Sequence, residues 1–158
     1  MPETRTVPFE PRRFRTAAEY YLRGRLSYPD ALINRVISVT GLAPHHSVLD
    51  LGCGPGLLAA AFAPHVQKVI GIDPEPAMLE AAAVYARGKE VEVTFQLGSS
   101  YDLEKLTGTF HLVTMGRSFH WMDRAATLEA LDRIVEPDGA VALFKDSHLE
   151  VPQNQWRD

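Results

Sequence analysis

The sequence predicts a doubly wound, mostly parallel α/β sheet. The clearest observation is in residues 47–62, where an apolar run, Val48-Leu49-Asp50-Leu51, precedes closely spaced glycines and then an apolar helical stretch. Buried parallel strands are such short apolar runs, and a glycine turn between strand and helix is typical of a nucleotide-binding corner. The second observation is that strand-like and helix-like stretches alternate from this turn to residue 144.

Two helices are predicted before the first strand. Residues 14–25 place apolar side chains on one face, and Pro29 begins a second helix that ends at Gly41. Residues 1–13 are rich in proline and lack periodicity, so we expect a flexible arm. The remaining residues 14–158 are expected to form one domain.

Four strands are predicted after the glycine turn. Short apolar runs place them at residues 66–72, 90–97, 109–115 and 140–144. Apolar and polar residues alternate in 90–97, which predicts one exposed face and a position near a sheet edge.

Helices are predicted between these strands. Pro74 and Pro76 fit the first turn of the helix after the second strand, where a missing N–H group costs nothing. Asp123 is the expected N-cap of the last helix, and Leu128 and Leu131 are expected to face the sheet. Residues 136–139 predict a turn before the fifth strand.

The glycine turn favours a ligand with positive groups over a dinucleotide. The dinucleotide fingerprint requires its third glycine where this chain has Leu57, whereas here the third glycine is Gly56. Asp50 precedes the first glycine, and its carboxylate would repel a pyrophosphate but attract an amino or sulfonium group. The pattern therefore suits S-adenosylmethionine better than NAD.

Residues 48–56 resemble motif I of the class I S-adenosylmethionine-dependent methyltransferases, and later stretches match this family in order up to Phe144. The resemblance implies a Rossmann-like sheet of strand order 3-2-1-4-5 with N-terminal helices. It also implies methyl transfer to an oxygen, nitrogen or carbon nucleophile of a small molecule. Residues 21–29 and 118–121 resemble the small-molecule, type 11-like branch.

An acidic residue at the end of the second strand predicts a ribose contact. Asp73 follows the glycines by about 20 residues, and a carboxylate there can accept hydrogen bonds from both ribose hydroxyls. The family often has an acid for the adenine amino group where this chain has Ser99. The resemblance implies further cofactor contacts from Asp50, Gly52, Cys53, Gly54, Gly56, Pro74, Met78, Ser99, Ser100, Gly116, Arg117 and Arg25, the last pairing with the cofactor carboxylate.

The resemblance also implies a substrate side. Tyr21 and Tyr28 in the N-terminal helices, and His120 and Trp121 after the fourth strand, are candidates for substrate contact. His120 is the candidate general base because an imidazole titrates near neutrality. Packing is the alternative interpretation of these aromatic and histidine side chains.

Composition narrows the classes of function. A net charge of -4 gives no support for nucleic-acid binding, and no apolar run reaches the length of a membrane span. Cys53 is the only cysteine, which excludes an intrachain disulfide and favours a reducing, cytoplasmic compartment. The six histidines are scattered or paired at 45–46, so their spacing predicts no metal site.

Only residues 145–158 follow the fifth strand, whereas members of the family usually continue with a helix and two further strands. We expect either a fragment whose C-terminal strands are missing, or a partner such as a second copy in a homodimer, because open strand edges are normally covered. The alternatives to the enzyme are a non-catalytic module that binds S-adenosylmethionine, and an NAD-dependent or aminopropyl-transferring enzyme.

Overall fold

The structure, a computed structural model, describes residues 18–147. In chain order, the helices and strands are α1 Ala18–Gly24, α2 Asp30–Thr40, β1 Ser47–Leu51, α3 Leu57–Phe62, β2 Lys68–Asp73, α4 Pro76–Gly88, β3 Thr94–Leu97, β4 Phe110–Gly116, α5 Arg124–Leu131 and β5 Val135–Phe144. The predicted arm, the predicted beginning of the first helix and the last eleven residues lie outside the described part, so the domain boundaries stay predictions.

The five strands form one parallel sheet in the order β3-β2-β1-β4-β5. This confirms the predicted fold class and the position of the third strand at an edge. β1 lies in the middle, and its apolar side chains Val48, Leu49 and Leu51 are completely buried. A central strand with helices over both faces has no solvent side, which is why its sequence is mostly apolar and its one acid, Asp50, is buried.

The core consists of one apolar layer on each side of the sheet. Successive residues of a strand point to opposite faces, so Leu49 and Val48 belong to different layers. Leu131 of α5 packs in the layer of Leu49, while Phe62 of α3 packs in the layer of Val48. None of the described helices is long and apolar enough to span a membrane.

β3 is shorter than predicted because the end of helix α4 uses part of the predicted strand. Glu90 adopts a left-handed conformation with φ 57, and the N–H of Val91 donates to the carbonyl of Ala86 at 3.1 Å. An N–H group that donates to a carbonyl in the last turn of a helix cannot also donate to a neighbouring strand. Pairing with β2 therefore begins only at Thr94.

β5 begins earlier than predicted, and the predicted turn is an irregularity inside it. Val135 pairs with Phe110, but the next paired residue, Ala140, lies opposite Leu112. The intervening residues bulge out of the ladder opposite His111. Gly139 is needed there because a Cβ atom would lie 2.7 Å from the His111 carbonyl oxygen.

The prediction that Leu128 faces the sheet is wrong. Leu128 is 47% exposed, whereas Leu131 is 1% exposed. The buried partner of Leu131 on α5 is Thr127, four residues earlier on the same side of the helix. Asp123 is the N-cap as predicted, since its Oδ1 accepts from the N–H of Ala126 at 3.0 Å.

The two leucines of α5 provide a matched test of the packing. Leu131→Ala is expected to lower the free energy of unfolding by about 2–5 kcal/mol, because it leaves a cavity in the core. Leu128→Ala removes exposed surface and is expected to change it by no more than about 0.5 kcal/mol. Urea denaturation measures both values, and equal losses would contradict the observed orientation of α5.

Candidate functional site

A cleft opens at the carboxyl ends of β1, β2 and β4, with an empty volume, open solvent included, of about 1280 Å³. Such a crevice is the usual ligand site of an open parallel sheet. The fold brings fifteen of the residues predicted from sequence to its lining, namely Tyr21, Arg25, Tyr28, Asp50, Gly52, Cys53, Gly54, Asp73, Pro74, Met78, Ser99, Ser100, Gly116, Arg117 and Trp121. Gly56 and His120 are not in this lining.

The three glycines of the turn have different roles. All have positive φ angles, 68 for Gly52, 51 for Gly54 and 81 for Gly56, a region that side chains disfavour. A Cβ atom on Gly52 would lie 2.7 Å from Ser118 Cβ, and one on Gly56 would lie 3.0 Å from Ala82 Cβ. At Gly54 no atom lies within 4 Å of that position. Gly54 therefore leaves its backbone open to a ligand, while the other two permit close packing.

Asp73 is held by two backbone donors at the end of β2. Its Oδ2 accepts from the N–H of Gly54 and its Oδ1 from the N–H of Glu75, both at 2.9 Å. Burial raises the pKa of Asp73, and the two hydrogen bonds oppose this rise. A carboxylate oxygen accepts more than one hydrogen bond, so both oxygens retain capacity for a ligand hydroxyl.

Asp50 connects three elements beneath the glycine turn. Its Oδ1 accepts from Thr114 Oγ1 of β4 at 2.8 Å, and its Oδ2 accepts from the N–H of Ala59 in α3 at 3.1 Å. Burial raises the pKa of Asp50 to about 7, against the effect of these two donors. The structure thus gives Asp50 a supporting role in the turn, and its predicted contact with the cofactor stays a prediction.

Cys53 is packed inside the turn. Its N–H donates to the carbonyl of Ile72 at 2.9 Å, and its Sγ lies 3.6 Å from the carbonyl oxygen of Gly54. Burial raises the pKa of the Cys53 thiol well above its ordinary value. These surroundings keep the sulfur protonated, which disfavours a nucleophilic role.

Glu75 is a cleft residue that the sequence reasoning missed. It is only 5% exposed, and its Oε2 has no hydrogen-bond partner within the part of the chain that the structure describes. An unpartnered buried carboxylate oxygen is costly, so its place in the lining of the cleft makes it a candidate acceptor for a bound molecule. Its acidic character two residues after Asp73 was the only signal in the sequence.

Four side chains form what we call the arginine–tyrosine wall, namely Tyr21, Arg25, Tyr28 and Arg117. The guanidinium carbon of Arg25 lies 4.0 Å from the ring centre of Tyr21, and that of Arg117 lies 4.9 Å from the ring centre of Tyr28. Burial raises the pKa of both tyrosines, and the nearby arginines oppose this rise. The wall therefore presents positive charge on aromatic faces.

Arg117 is fixed in this wall by its backbone and by an ion pair. It adopts a left-handed conformation, with φ 58, and its N–H donates to the Phe144 carbonyl at 2.8 Å. Its Nε lies 2.8 Å from Asp146 Oδ2, but the N–H does not point along that line, so the contact is an ion pair without a hydrogen bond. Gly116 has no room for a side chain, because the Tyr28 hydroxyl would contact its Cβ.

The two serines after β3 lie in a short helical turn, Ser100–Lys105. Ser99 is its N-cap, with its Oγ accepting from the N–H of Tyr101 and donating to Asp102 Oδ2, both at 3.2 Å. Asp102 is in turn held by Lys105 at 2.6 Å. The Ser99 hydroxyl is thus already used in capping, although Ser99 and Ser100 both line the cleft.

His120 is not part of the cleft lining. It is exposed, and its ring centre lies 4.7 Å from that of Trp121, which does line the cleft. Partial burial lowers the pKa of His120, and the positive charges of Arg124 and Arg25 lower it further. These effects favour the neutral imidazole, which is the form a general base requires.

Comparison with known proteins agrees with this geometry. A family model described as a methyltransferase domain matches residues 48–139. An uncharacterised methyltransferase of Bacillus subtilis, YcgJ, is 31% identical over 141 residues, which are 88% of this chain and 56% of that protein. The ubiquinone biosynthesis O-methyltransferase of Pseudomonas aeruginosa is 34% identical over 113 residues, which are 70% of this chain and 48% of that protein. The chain spans about half the length of these curated relatives.

Solved structures share the fold. The crystal structure of YcgJ superimposes with a TM-score of 0.63 at 33% identity, over 70% of this chain and 48% of that one. A methyltransferase from Thiobacillus denitrificans, solved in complex with S-adenosyl-L-homocysteine, gives a TM-score of 0.64 at 22% identity, over 83% of this chain and 54% of that one.

Asp50→Asn is expected to change how stability depends on pH. Because burial raises the pKa of Asp50 from 3.8 to about 7, the folded chain keeps a proton that the unfolded chain releases between about pH 4 and pH 7. The contribution of Asp50 to the free energy of unfolding therefore falls as pH rises through this window. Asparagine does not titrate, so the variant lacks this pH-dependent contribution to the free energy of unfolding.

Urea denaturation of wild type and Asp50→Asn at several pH values across the window measures the difference. Asp73 titrates in both proteins, so its effect largely cancels. A difference that stays constant with pH would contradict the raised pKa of Asp50.

Proposed function

This chain belongs to the class I S-adenosylmethionine-dependent methyltransferase family, and we propose that it binds S-adenosylmethionine in the cleft and transfers its methyl group to a small molecule. The observation that carries the proposal is Asp73, a carboxylate fixed at the end of β2 beside the open backbone of Gly54. The net charge of -4 supports a small molecule over a nucleic acid, whose phosphates it would repel.

The adenosyl half fits the side of the cleft that contains Asp73. The two oxygens of Asp73 are oriented by backbone donors and can each accept from a ribose hydroxyl. Met78 is buried in the lining and Pro74 lines the same cleft, so both offer apolar contact to an adenine ring. Ser99 and Ser100 would lie near the adenine amino group. Because the Ser99 hydroxyl is engaged in capping, backbone carbonyls are the proposed acceptors for this amino group.

The methionine half fits a cleft that is lined by groups of both charges. Asp50, Asp73 and Glu75 contribute carboxyl groups to the lining, which favours the amino and sulfonium groups. Arg25 lies in the arginine–tyrosine wall, where its guanidinium group suits the cofactor carboxylate. We assign Glu75 Oε2 as an acceptor for a donor group of the cofactor, because the structure gives it no other partner among the described residues.

When bound, S-adenosylmethionine supplies a methyl group on a positively charged sulfur. The residues of this chain orient the two reactants and exclude water, and such a displacement requires chiefly positioning. The acceptor is proposed to lie against Tyr21, Tyr28 and Trp121, which line the cleft. His120 is the proposed acceptor of the nucleophile's proton, and this role requires its ring to turn toward the cleft.

We also propose a homodimer that covers β5 and a cytoplasmic location. Within the described residues β5 pairs only with β4, and Val141 and Leu143 are partly exposed on it. The single, buried thiol of Cys53 is the observation that supports a reducing compartment. Analytical ultracentrifugation tests the dimer, and a monomer at all concentrations would contradict it.

Asp73→Ala is expected to abolish most of the affinity for S-adenosylmethionine. Two hydrogen bonds to ribose hydroxyls are lost, each worth about 1.5–3 kcal/mol with a charged acceptor. Isothermal titration calorimetry with S-adenosylmethionine, S-adenosylhomocysteine and NAD measures the change, and the exposed Asp132→Ala is the matched control. Unchanged affinity in Asp73→Ala would contradict the ribose assignment, and binding of NAD alone would contradict the proposed function.

Arg25→Gln is expected to weaken binding of S-adenosylhomocysteine and to leave methylthioadenosine binding unchanged. The second ligand has the adenosyl group but no amino-acid carboxylate, so only the first can lose an ion pair. The exposed Arg23→Gln, two residues earlier in α1, is the control variant. If both ligands weaken equally, Arg25 supports the cleft and does not contact the cofactor carboxylate.

A further inference from the structure

A second cluster of functional side chains lies at the opposite end of the sheet from the cleft. It contains His46, which precedes β1, His111 near the beginning of β4, and Glu136 in the irregular part of β5. His111 and the cleft residue Gly116 are about 16 Å apart along β4, as expected for a strand of this length. The cluster therefore has no part in the cofactor site.

His111 has the hydrogen bonding of a metal ligand. Its Nε2 lies 2.7 Å from the carbonyl oxygen of Thr40, and since a carbonyl only accepts, Nε2 carries the proton. This bond fixes the ring and leaves the lone pair of Nδ1 facing Glu136 Oε2. Metal-binding histidines are oriented in the same way, by an N–H donated to a carbonyl or carboxylate.

The separation between His111 and Glu136 suits a shared cation. Two electron-rich atoms that face each other need a proton or a cation between them. Nδ1 and Oε2 are 3.2 Å apart, which is longer than the 2.7–2.9 Å typical of a charge-assisted hydrogen bond. Nitrogen and oxygen ligands on one tetrahedral zinc ion lie about 3.4 Å apart, given metal distances near 2.1 Å.

His46 is the third donor, and it has to move. Its ring is parallel to that of His111, with centres 3.7 Å apart and an angle of 2°. The lone pairs of an imidazole lie in the plane of its ring, so two stacked rings cannot hold one ion. His46 must leave the stack and release the N–H of Ala43, which donates to its Nδ1 at 2.9 Å. Ligand atoms of all three residues already lie within 4.8 Å of one another.

We propose that His46, His111 and Glu136 bind a divalent transition-metal ion of the zinc type. Two imidazoles and one carboxylate are donors that such ions prefer, whereas Mg²⁺ and Ca²⁺ prefer oxygen alone. The ion would be bound by the lone pair of His111 Nδ1 and by Glu136 Oε2, the two atoms that face each other. The ion would connect the loop before β1, the beginning of β4 and the irregular part of β5, and so stabilise this end of the domain.

Calorimetric titration of the chelator-treated chain with Zn²⁺, and separately with Mg²⁺, tests the proposal. We expect one zinc ion per chain, a higher melting temperature with Zn²⁺, and no heat from Mg²⁺. Glu136→Gln should abolish the zinc signal, and so should His111→Gln if it folds, whereas the exposed His65→Gln should retain it. The amide resonance of Ala43 in a ¹⁵N-correlation spectrum should shift with zinc, because His46 releases that N–H group.

Three results would overturn the proposal. They are the absence of stoichiometric zinc binding to the wild-type chain, zinc binding that survives Glu136→Gln, and zinc binding that leaves the Ala43 resonance in place. His111 is almost fully buried, and His111→Gln is open to misfolding, but Glu136 is partly exposed and its variant decides the question independently.

Discussion

The buried carboxylate of Asp50 is the interaction on which the cleft depends. It lies at the centre of the sheet, where it receives a hydroxyl from β4 and a backbone N–H from the first turn of α3. These two hydrogen bonds fix β4 and α3 relative to β1, and the glycine turn between β1 and α3 adopts its left-handed conformations next to them. Asp73 connects β2 to the same turn, because its carboxylate accepts from the N–H of Gly54. Two carboxylates thus hold together the ends of three strands and one helix.

This use of buried acids has an electrostatic consequence. Burial raises the pKa values of both Asp50 and Asp73, so each is costly to ionise unless positive groups approach it. The arginine–tyrosine wall adds cations to the lining of the same cleft. A ligand with separated positive and negative groups, such as the methionine part of S-adenosylmethionine, matches this lining of both charges better than a ligand of one charge.

Most of the fold could be predicted because its signals are local. The apolar run of β1, the glycines and the acid after β2 each lie within a few residues of what they form. The two errors in the elements had different causes. The beginning of β3 was lost to a neighbouring hydrogen bond that ends α4, whereas the buried side of α5 was decided by how Thr127 and Leu131 pack against the rest of the domain. Glu75 was missed because its isolation is visible only once the cleft is folded.

Through its resemblance to a methyltransferase family, the sequence predicted the strand order and most of the residues that line the cleft, because the motifs of that family occur in this chain in the same order. The folded structure was needed to see that Asp50 supports the turn and that His120 lies outside the cleft lining. It also brought His46, His111 and Glu136 together, although their spacing predicts no common site. Contacts between residues so far apart in the chain depend on strand register and on the bulge in β5, which no local pattern encodes.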